Sequence, residues 1–473
     1  MIEWILFLLG LWSLVLTVLV IGHIVMHKHN VRSAIGWAGL VLLAPFMGSL
    51  AYFLLGINRI QRKAVTLRGR RHFKPATAPL AMDLGPGHSP LVEQMHRLGH
   101  SLQLSGYAPG NTIKPLVNGD EAFPAMLTAI HNAKSSIALC SYIFDGDETG
   151  MEFVEALAAA QRRGVEVRVL IDDVGARYHR TNAIRQLRKR GVGAKRFLPT
   201  LASRFIRFAN IRNHRKLLMV DGGVAFVGGM NIRHGNRLRK QPKAPIADIH
   251  FQVKGPIIDR MNTVFVEDWS FTTGETPNLP EWGSRDMPQG GTVLARTIPD
   301  GPDADVGKLP LLFMGAISSA RQSIRIRTPY FLPNPALERA LQVAALKGVK
   351  VEVLLPEKSN VPFFDWAMHA NFQAYMEYGV RFFLSPPPFD HGKLIIVDQE
   401  WSSIGSSNWD ARSFRLNFEL NLECVDQPLA RELTEGFDKK KAQAREIRLP
   451  EVRAYSFSRR LRNNFFRLFT PYL

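Results

Sequence analysis

A long internal repeat constrains the fold of this chain more than any other feature of its sequence. Residues 156–173 read ALAAAQRRGVEVRVLIDD, and residues 340–357 read ALQVAALKGVKVEVLLPE. Each copy has the pattern of a helix, a Lys/Arg-Gly turn and a buried strand, which is typical of α/β units. The offset of about 180 residues is far longer than the period of solenoid repeats. The sequence therefore predicts a duplicated domain of the α/β class.

A polar motif of the form His-x-Lys-x4-Asp occurs once in each half, followed by a Gly-rich turn and an asparagine. In the first half the motif comprises His214, Lys216, Asp221 and Asn231. In the second half the corresponding polar residues are His391, Lys393, Asp398, Ser406 and Asn408. One copy of so short a motif would carry little weight, whereas two copies at matched spacing indicate catalysis.

The motif contains the groups that displacement at phosphorus requires. Because residues i and i+2 of a strand share one face, the histidine and the lysine of each copy project together. Two facing imidazoles supply a nucleophile and an acid for the leaving group, and two lysines balance the phosphate charge. The glycines let backbone amides approach an oxyanion, and Asn231 and Asn408 add donors. We expect such a site to work without a metal or another cofactor.

The two motifs resemble the HKD motifs of the phospholipase D superfamily, and the resemblance covers residues 116 to about 440. It implies a pseudo-two-fold αβ fold in which both motifs meet at one cleft. It further implies that His214 is the nucleophile and His391 the acid and base, although the reverse assignment stays open. The superfamily also pairs each histidine with a downstream carboxylate, and the matching positions are Asp248 and Glu419.

The two motif aspartates and one glycine need separate comment. Asp221 and Asp398 end their strands, so although they belong to the catalytic motif we favour a structural role in the following turn. Gly229 departs from the superfamily pattern, because Ser406 occupies its place in the second copy.

Longer strings around the motifs are similar to those of bacterial-type cardiolipin synthases. These strings are NHRKLLMVDG and VGGMN in the first half and TPYFLP, GSSNWDARS and LNFE in the second. The resemblance implies transfer of a phosphatidyl group from one phosphatidylglycerol to another, with release of glycerol. Hydrolysis of phospholipids is the alternative function, and a nuclease or a non-enzymatic membrane protein is less favoured.

Two apolar stretches near the N-terminus indicate a membrane protein. Residues 5–26 and 35–57 are each long enough to cross a bilayer, and a cleaved signal peptide would not be followed at once by a second apolar stretch. Only two basic residues of the Lys/Arg type, Lys28 and Arg32, lie between the stretches, whereas seven follow the second stretch between residues 59 and 74, so the positive-inside rule places both termini and the catalytic body in the cytoplasm. We expect a two-helix hairpin in the inner (plasma) membrane, hence a multi-pass protein.

The charge distribution suggests the partner and the domain limits. The formal net charge of +19 favours a polyanionic partner, and the apolar stretches favour an anionic membrane over nucleic acid. We predict a hairpin over residues 1–60, a basic linker and lead-in over 61–115, a first half over 116–285 and a second half over 286–473. The two cysteines, Cys140 and Cys424, lie in strand-like apolar runs and are expected to be buried free thiols.

Two basic segments are candidates for contact with lipid. The segment before the first motif alternates apolar residues with arginines that we expect to hold head groups, namely Arg204, Arg207, Arg212 and Arg215. The C-terminal tail alternates phenylalanines and leucines with arginines between Phe457 and Phe469. The sequence leaves open whether this tail lies in the membrane interface or packs onto the domain.

Overall fold

The computed structural model describes residues 2–28, 31–56, 87–199, 211–275, 277, 290–302 and 305–470. The chain divides into two compact units, Met1–Thr66 and Leu67–Leu473.

The first unit consists of apolar helices α1 (Ile2–His27), α2 (Val31–Leu43) and α3 (Pro45–Ala51), followed by a π-helical turn over Tyr52–Gly56. Among the described residues, only α1 provides a helix long and apolar enough to cross a membrane, over Glu3–His27. The hairpin of two spanning helices is thus supported only in part.

A proline interrupts the second apolar stretch. Pro45 has no N–H to donate and restricts Ala44, whose φ of −141° and ψ of 76° are not helical. The broken segment folds back on α1, where Ile24 packs with Val41 and Tyr52, and His23 Nδ1 lies 2.9 Å from the Tyr52 hydroxyl.

The second unit is organised around one mixed sheet of 16 strands. The first-half strands are β1 (Ala108–Val117), β2 (Ser136–Ser141), β3 (Glu166–Asp172), β4 (Gly193–Phe197), β5 (Arg212–Asn213), β6 (Leu217–Val220), β7 (Val224–Gly228), β8 (Ile246–Ala247) and β9 (Ile249–Lys254). The second-half strands are β10 (Val293–Asp300), β11 (Ser323–Arg327), β12 (Lys350–Pro356), β13 (Arg381–Ser385), β14 (Phe389–Asp390), β15 (Leu394–Val397), β16 (Trp401–Gly405), β17 (Asn417–Val425) and β18 (Arg445–Glu446).

The order of the strands confirms the predicted duplication. The sheet runs β18-β13-β12-β11-β15-β16-β17-β10-β1-β9-β7-β6-β2-β3-β4, with β5 paired to β17, while β8 and β14 form a separate pair. Moving outward from the central β1–β10 pair, each half presents the same series of seven strands, and the second half adds the short edge strand β18, which is antiparallel to β13. In both halves the series ends in three parallel strands, β2-β3-β4 and β11-β12-β13, and antiparallel strands lie towards the centre.

Helices cover the sheet and bury a separate core in each half. They are α4 (Pro90–Ser101), α5 (Asn118–Asn132), α6 (Glu148–Arg162), α7 (Ala183–Lys189), α8 (Ile257–Thr273), α9 (Lys308–Ser319), α10 (Pro335–Leu346), α11 (Pro362–Met376), α12 (Gln427–Ala442), α13 (Leu449–Arg453) and α14 (Phe457–Arg467). The first core surrounds Phe153 and Leu157, and the second surrounds Phe331 and Trp409. Full burial of a large apolar side chain of this kind stabilises the folded state by about 1.5–3 kcal/mol. Cys140 and Cys424 are buried and free, as predicted.

Helix α4 lies inside the segment that the sequence suggested was a linker. Its residues Leu91, Val92 and Met95 belong to the core of the second half, although they precede the first half in the chain. The helix begins after Ser89, whose hydroxyl accepts a hydrogen bond from the Val92 amide, and Pro90 occupies its first turn. Part of residues 61–115 is therefore an integral element of the catalytic body.

The motif aspartates hold the turns at the far ends of the motif strands. Asp221 follows β6 in the left-handed conformation, with φ of 53°, and its carboxylate accepts hydrogen bonds from the amides of Lys134, Ser135 and Ser136. Asp398, with φ of 52°, binds three amides at the start of β11 in the same way. Each aspartate is separated from its motif histidine by a strand of four residues.

We predict that Asp221→Ala destabilises the fold without removing a reactive group. Burial alone would raise the pKa of Asp221, but the amide hydrogen bonds outweigh it and lower the pKa, so the stabilisation is present at neutral pH and lost on acidification. Loss of these bonds should reduce the free energy of unfolding by about 1–3 kcal/mol, measured by denaturant titration. Glu432→Ala, which removes an exposed charge from α12, is the control and should leave the midpoint unchanged.

Candidate active site

The two motif histidines are held by backbone bonds that cross between the halves. Strand β5 of the first half runs parallel to β17 of the second, and the amide of His214 donates to the carbonyl of Phe418 at 2.9 Å. Strand β14 of the second half runs parallel to β8 of the first, and the amide of His391 donates to the carbonyl of Ala247 at 2.7 Å. Each histidine is therefore anchored to the half that does not contain it.

Buried carboxylates repeat the crossing at the side chains. Nδ1 of His214 lies 2.9 and 3.0 Å from the two oxygens of Glu419, and Nδ1 of His391 lies 2.9 Å from Oδ2 of Asp248. The sequence identified both carboxylates but not their crossed pairing, and Asp248 precedes its histidine instead of following it. With Nδ1 held as the hydrogen-bond donor, Nε2 of each neutral ring is left with its lone pair.

The residue after the motif glycine makes the two sides unequal. The hydroxyl of Ser406 donates to Glu419 Oε2 at 2.5 Å and accepts from the amide of Leu420 at 3.0 Å. At Gly229 a Cβ atom would lie 3.1 Å from both Asp248 Oδ1 and Lys393 Nζ. Asp248 therefore lacks a hydroxyl donor and accepts its further hydrogen bond from the amide of Ile249 at 2.8 Å, and a side chain at position 229 would crowd the lysine.

Two buried lysines flank the histidines. Lys216 Nζ donates to the carbonyl of His214 at 2.6 Å. Lys393 Nζ donates to the carbonyl of His391 at 2.7 Å and lies 3.0 Å from both nitrogens of that ring. Burial lowers the pKa of Lys216 to about 7 and that of Lys393 to about 8. Both charges are consequently sensitive to pH near neutrality, and an anion bound between them would favour the protonated forms.

The histidines are neutral at pH 7 in the unliganded site. Burial lowers the pKa of His214 and that of His391 to about 4, and this effect outweighs the neighbouring carboxylates. Burial would raise the pKa of Glu419, but His214, Lys216 and Ser406 together lower it, so this carboxylate is ionised. A neutral imidazole with an ionised carboxylate behind it is the form that attacks an electrophile.

Tyr142 is a contact residue that the sequence did not single out. Its ring packs edge-on against His214 with centroids 5.1 Å apart, and Lys216 Nζ lies 5.4 Å from the centre of the same ring. Tyr142 follows β2, the neighbour of the motif strand β6, and Pro329 stands at the matching place in the second half. The sequence could not identify Tyr142 as a neighbour of His214, because the local sequence does not show that β2 lies beside β6 in the sheet.

The structure describes both predicted asparagines but only part of the basic segment before the first motif. Asn231 Oδ1 accepts from the amide of Ile143 at 3.0 Å, whereas Oδ1 of Asn408 is buried without a hydrogen-bond partner. Arg204 and Arg207 lie outside the described residues. Arg212 is largely buried and donates to the carbonyl of Ile211.

The head-group role expected for Arg215 is wrong. Its side chain is completely buried, its guanidinium lies 2.6 Å from Asp268, and its Nε donates to the carbonyl of Glu419 at 3.0 Å. Asn213 Nδ2 also donates to Asp268, and the amide of Asn213 donates to the buried carboxylate of Asp172. This network fixes the segment before His214 and the backbone of Glu419 together, so Arg215 positions the site and does not face the substrate.

Comparison with family models and relatives agrees with this architecture. The model described as "Cardiolipin synthase, PLD-like domain" matches residues 126–269 and 313–441, one segment in each half. The model described as "Phospholipase_D-nuclease N-terminal" matches residues 15–56. A cardiolipin synthase of Staphylococcus aureus (strain Mu50) is 30% identical over 425 residues, which cover 88% of this chain and 86% of that protein. A cardiolipin synthase of Geobacillus thermodenitrificans (strain NG80-2) is 33% identical over 431 residues, covering 88% of this chain and 84% of that protein.

A solved structure has the same fold. The crystal structure of phosphatidylserine synthase from Haemophilus influenzae Rd KW20 superposes with a TM-score of 0.63 at 16% identity. The match covers 80% of this chain and all of that chain. At this identity the likeness extends to the fold alone.

We predict that Ser406→Ala shifts the acid side of the pH–rate profile to higher pH. The hydroxyl stabilises the ionised form of Glu419, and its loss should raise the pKa of that carboxyl. Ser407→Ala is the matched control, because that hydroxyl donates to Asn421. Equal profiles for both variants would contradict a role for Ser406 in holding Glu419.

We also predict an alkaline limit to kcat/KM. Since the pKa of Lys216 is about 7 and that of Lys393 about 8, the free enzyme loses these two positive charges as pH rises from 7 to 9. The rate constant kcat/KM should fall over this range, whereas kcat should persist to higher pH because a bound phosphodiester anion retains the protons. A kcat/KM that stays flat up to pH 9 would argue against protonated lysines as the anion-binding groups.

Proposed function

The chain belongs to the cardiolipin synthase family with phospholipase D-like domains, and we propose that it transfers a phosphatidyl group from one phosphatidylglycerol to another. The products are cardiolipin and glycerol. The observation that supports this proposal most strongly is the pair of imidazoles, each backed by a buried carboxylate and flanked by a buried lysine.

The first step forms a covalent intermediate. Nε2 of His214 attacks the phosphorus of the first phosphatidylglycerol, and the bond from phosphorus to the glycerol oxygen breaks. We assign attack to His214 because its carboxylate, Glu419, receives the additional hydrogen bond from Ser406. A more firmly held anion behind the ring better stabilises the positive charge that the ring gains on attack.

His391 supplies the proton for the leaving glycerol. In the unliganded site burial lowers its pKa to about 4, but the anionic phosphodiester favours the imidazolium by adding a negative charge. In the second step the terminal hydroxyl of another phosphatidylglycerol returns a proton to His391 and attacks the phosphorus of the phosphohistidine, and the bond from phosphorus to Nε2 of His214 breaks. The lysines balance the phosphate charge in both steps, so Lys216 and Lys393 serve as electrostatic groups.

The remaining motif residues support this chemistry. Asn231 orders the chain beside the first histidine through Ile143, and Asn408 has a free buried acceptor on the second side. We assign Asp221 and Asp398 to the turns they bind and not to proton transfer.

For the cellular setting we propose a multi-pass protein of the inner (plasma) membrane, with the catalytic body in the cytoplasm. Supporting features are the apolar helix over Glu3–His27 and the excess of basic residues after the second apolar stretch. We propose the division into a membrane unit over 1–60, a lead-in over 61–115, and halves over 116–285 and 286–473.

Product analysis tests the transferase directly. The purified full chain in detergent receives only phosphatidylglycerol labelled in its head group, and free glycerol, cardiolipin and phosphatidic acid are measured together. Equal amounts of glycerol and cardiolipin with little phosphatidic acid are expected. Glycerol accompanied by phosphatidic acid would mean that water is the acceptor and that the protein is a hydrolase.

We predict that His214→Ala and His391→Ala each abolish turnover, because each removes one of two groups that act in sequence. The fold should persist, as judged by the denaturant midpoint. His250→Ala is a control for loss of a buried histidine near the same strands, since His250 contacts neither carboxylate within hydrogen-bond distance in the described structure. Unchanged turnover in either motif variant would refute the mechanism.

A further inference from the structure

The C-terminal helix α14 presents an apolar face that nothing in the described structure covers. Phe457, Leu461, Phe465 and Leu468 recur at spacings of four, four and three, so they lie on one side of the helix. Each is between 54% and 74% exposed. Together with the following Phe469, which is 44% exposed, they form what we call the apolar stripe.

The opposite side of α14 is docked firmly on the catalytic body. Phe466 packs against Trp366 of α11 with ring centroids 4.7 Å apart, and Arg462 lies 4.7 Å from the centre of the Trp366 ring. Asn463 is buried on the same side, and Arg459 lies over the ring of Tyr455. The sequence left packing onto the domain and exposure at the interface as alternatives, and the helix has one packed side and one exposed side. Because the packed side holds the helix on the body, the position of the apolar stripe is fixed.

Positive charge borders the stripe. At 100° per residue, Arg460 and Arg467 lie on one flank of the stripe and Arg462 on the other, all three exposed. No acidic residue occurs between Glu451 and the end of the chain. An apolar face between rows of arginine matches an anionic bilayer surface, where the rings enter the acyl boundary and the guanidinium groups meet phosphates.

A path of aromatic rings connects this helix with the active site. Phe466 stacks on Phe363 at 6.4 Å between centroids, and Phe363 in turn stacks on Phe364 at 5.7 Å. Phe363 is 38% exposed and Phe364 only 8%, so the path reaches the surface at Phe363 and enters the core at Phe364.

The path continues to the second motif histidine. Phe364 lies 4.4 Å from Tyr330, Tyr330 lies 6.4 Å from Phe389, and Phe389 lies 5.9 Å from His391, all measured between ring centroids. At its other end the path meets the stripe, because Phe466 contacts Phe465 and Phe469 with ring centroids 5.4 and 6.4 Å apart. The rings of this path that reach the surface suit the acyl chains of a phospholipid whose phosphate occupies the site.

We propose that α14 docks the catalytic body on an anionic phospholipid surface, with the apolar stripe in the acyl boundary, and delivers lipid to the His391 side of the site. The delivery step rests on the proposed lipid-transfer function, whereas the docking does not. Membrane attachment by the apolar helix α1 and docking by α14 are separate contacts, because the first retains the chain and the second orients the site.

Labelling of the full chain tests the docking without reference to catalysis. Both native cysteines are buried, and burial raises the pKa of each thiol, so a cysteine introduced by Phe465→Cys is labelled selectively with an environment-sensitive fluorophore. The labelled protein is reconstituted in vesicles of phosphatidylglycerol and phosphatidylcholine, with and without quenchers on the acyl chains. Val343→Cys, at an exposed apolar position of α10, is the control.

Quenching at position 465 and not at position 343 is the expected result. A fluorophore at 465 that remains in water would overturn the proposal. So would one that is shielded but not quenched, which would mean that protein, such as a second copy, covers the stripe. Equal quenching at both positions would show that α14 is not the docking element.

A paired activity measurement tests the consequence for substrate delivery. The variant Leu461→Ser/Phe465→Ser/Leu468→Ser should lose at least about tenfold of its rate on vesicles, since three large apolar groups leave the interface. It should keep the wild-type rate on monomeric phosphatidylglycerol with short acyl chains, which needs no docked surface. Leu311→Ser/Val343→Ser/Leu346→Ser removes similar exposed groups from α9 and α10 and should behave as wild type.

The outcomes separate the two proposals. Equal vesicle rates for the stripe variant and the wild type would overturn delivery through α14. Equal losses on both substrates, with a denaturant midpoint like that of the wild type, would overturn it as well. Absence of cardiolipin from the wild type on either substrate would refute the proposed function, while the fluorescence result would still decide the docking.

Discussion

The crossed contact between each histidine and the opposite half is the interaction on which the rest of this structure depends. His214 takes its carboxylate from Glu419, and His391 takes its carboxylate from Asp248. The backbone amides of the same two histidines donate to the carbonyls of Phe418 and Ala247, so the two halves are also joined at the backbone of the motif histidines. The central β1–β10 pair and the buried Arg215–Asp268 network are the framework that keeps these short contacts in register. Neither half contains a complete site.

Duplication supplies the symmetry of the site, and a few substitutions break it. Ser406 against Gly229 gives the two carboxylates different hydrogen-bond partners, and Tyr142 against Pro329 gives the two histidines different ring neighbours. A transfer reaction requires one imidazole to attack and the other to move a proton, so equal environments would be a disadvantage. Both differences occur at matched positions just after strands, where the two copies can differ without disturbing the sheet.

The sequence predicted the repeated fold and the two motifs that the structure brings together, because both follow from the local spacing of residues. The strand that carries His-x-Lys brings its two side chains to one face, and a matched second copy implies a facing partner. Asp248 and Glu419 were identified through the family resemblance, but their crossing depends on sheet order, which local sequence does not contain. Arg215 was misread for the same reason, since only the fold places Asp268 beside it. Pro45 alone would have predicted the helix break, but the long apolar stretch around it favoured a single continuous helix.

The crossed site also has a consequence for biosynthesis. His214 and Glu419 are separated by 205 residues, and His391 and Asp248 by 143, so neither pair can close until more than half of the second half has been translated. Domains generally fold as they emerge, the N-terminal part first. A nascent chain that has folded only its first half thus holds His214 without its carboxylate. Under the proposed function, such a chain stays inactive towards lipid until the second copy of the repeat has been translated.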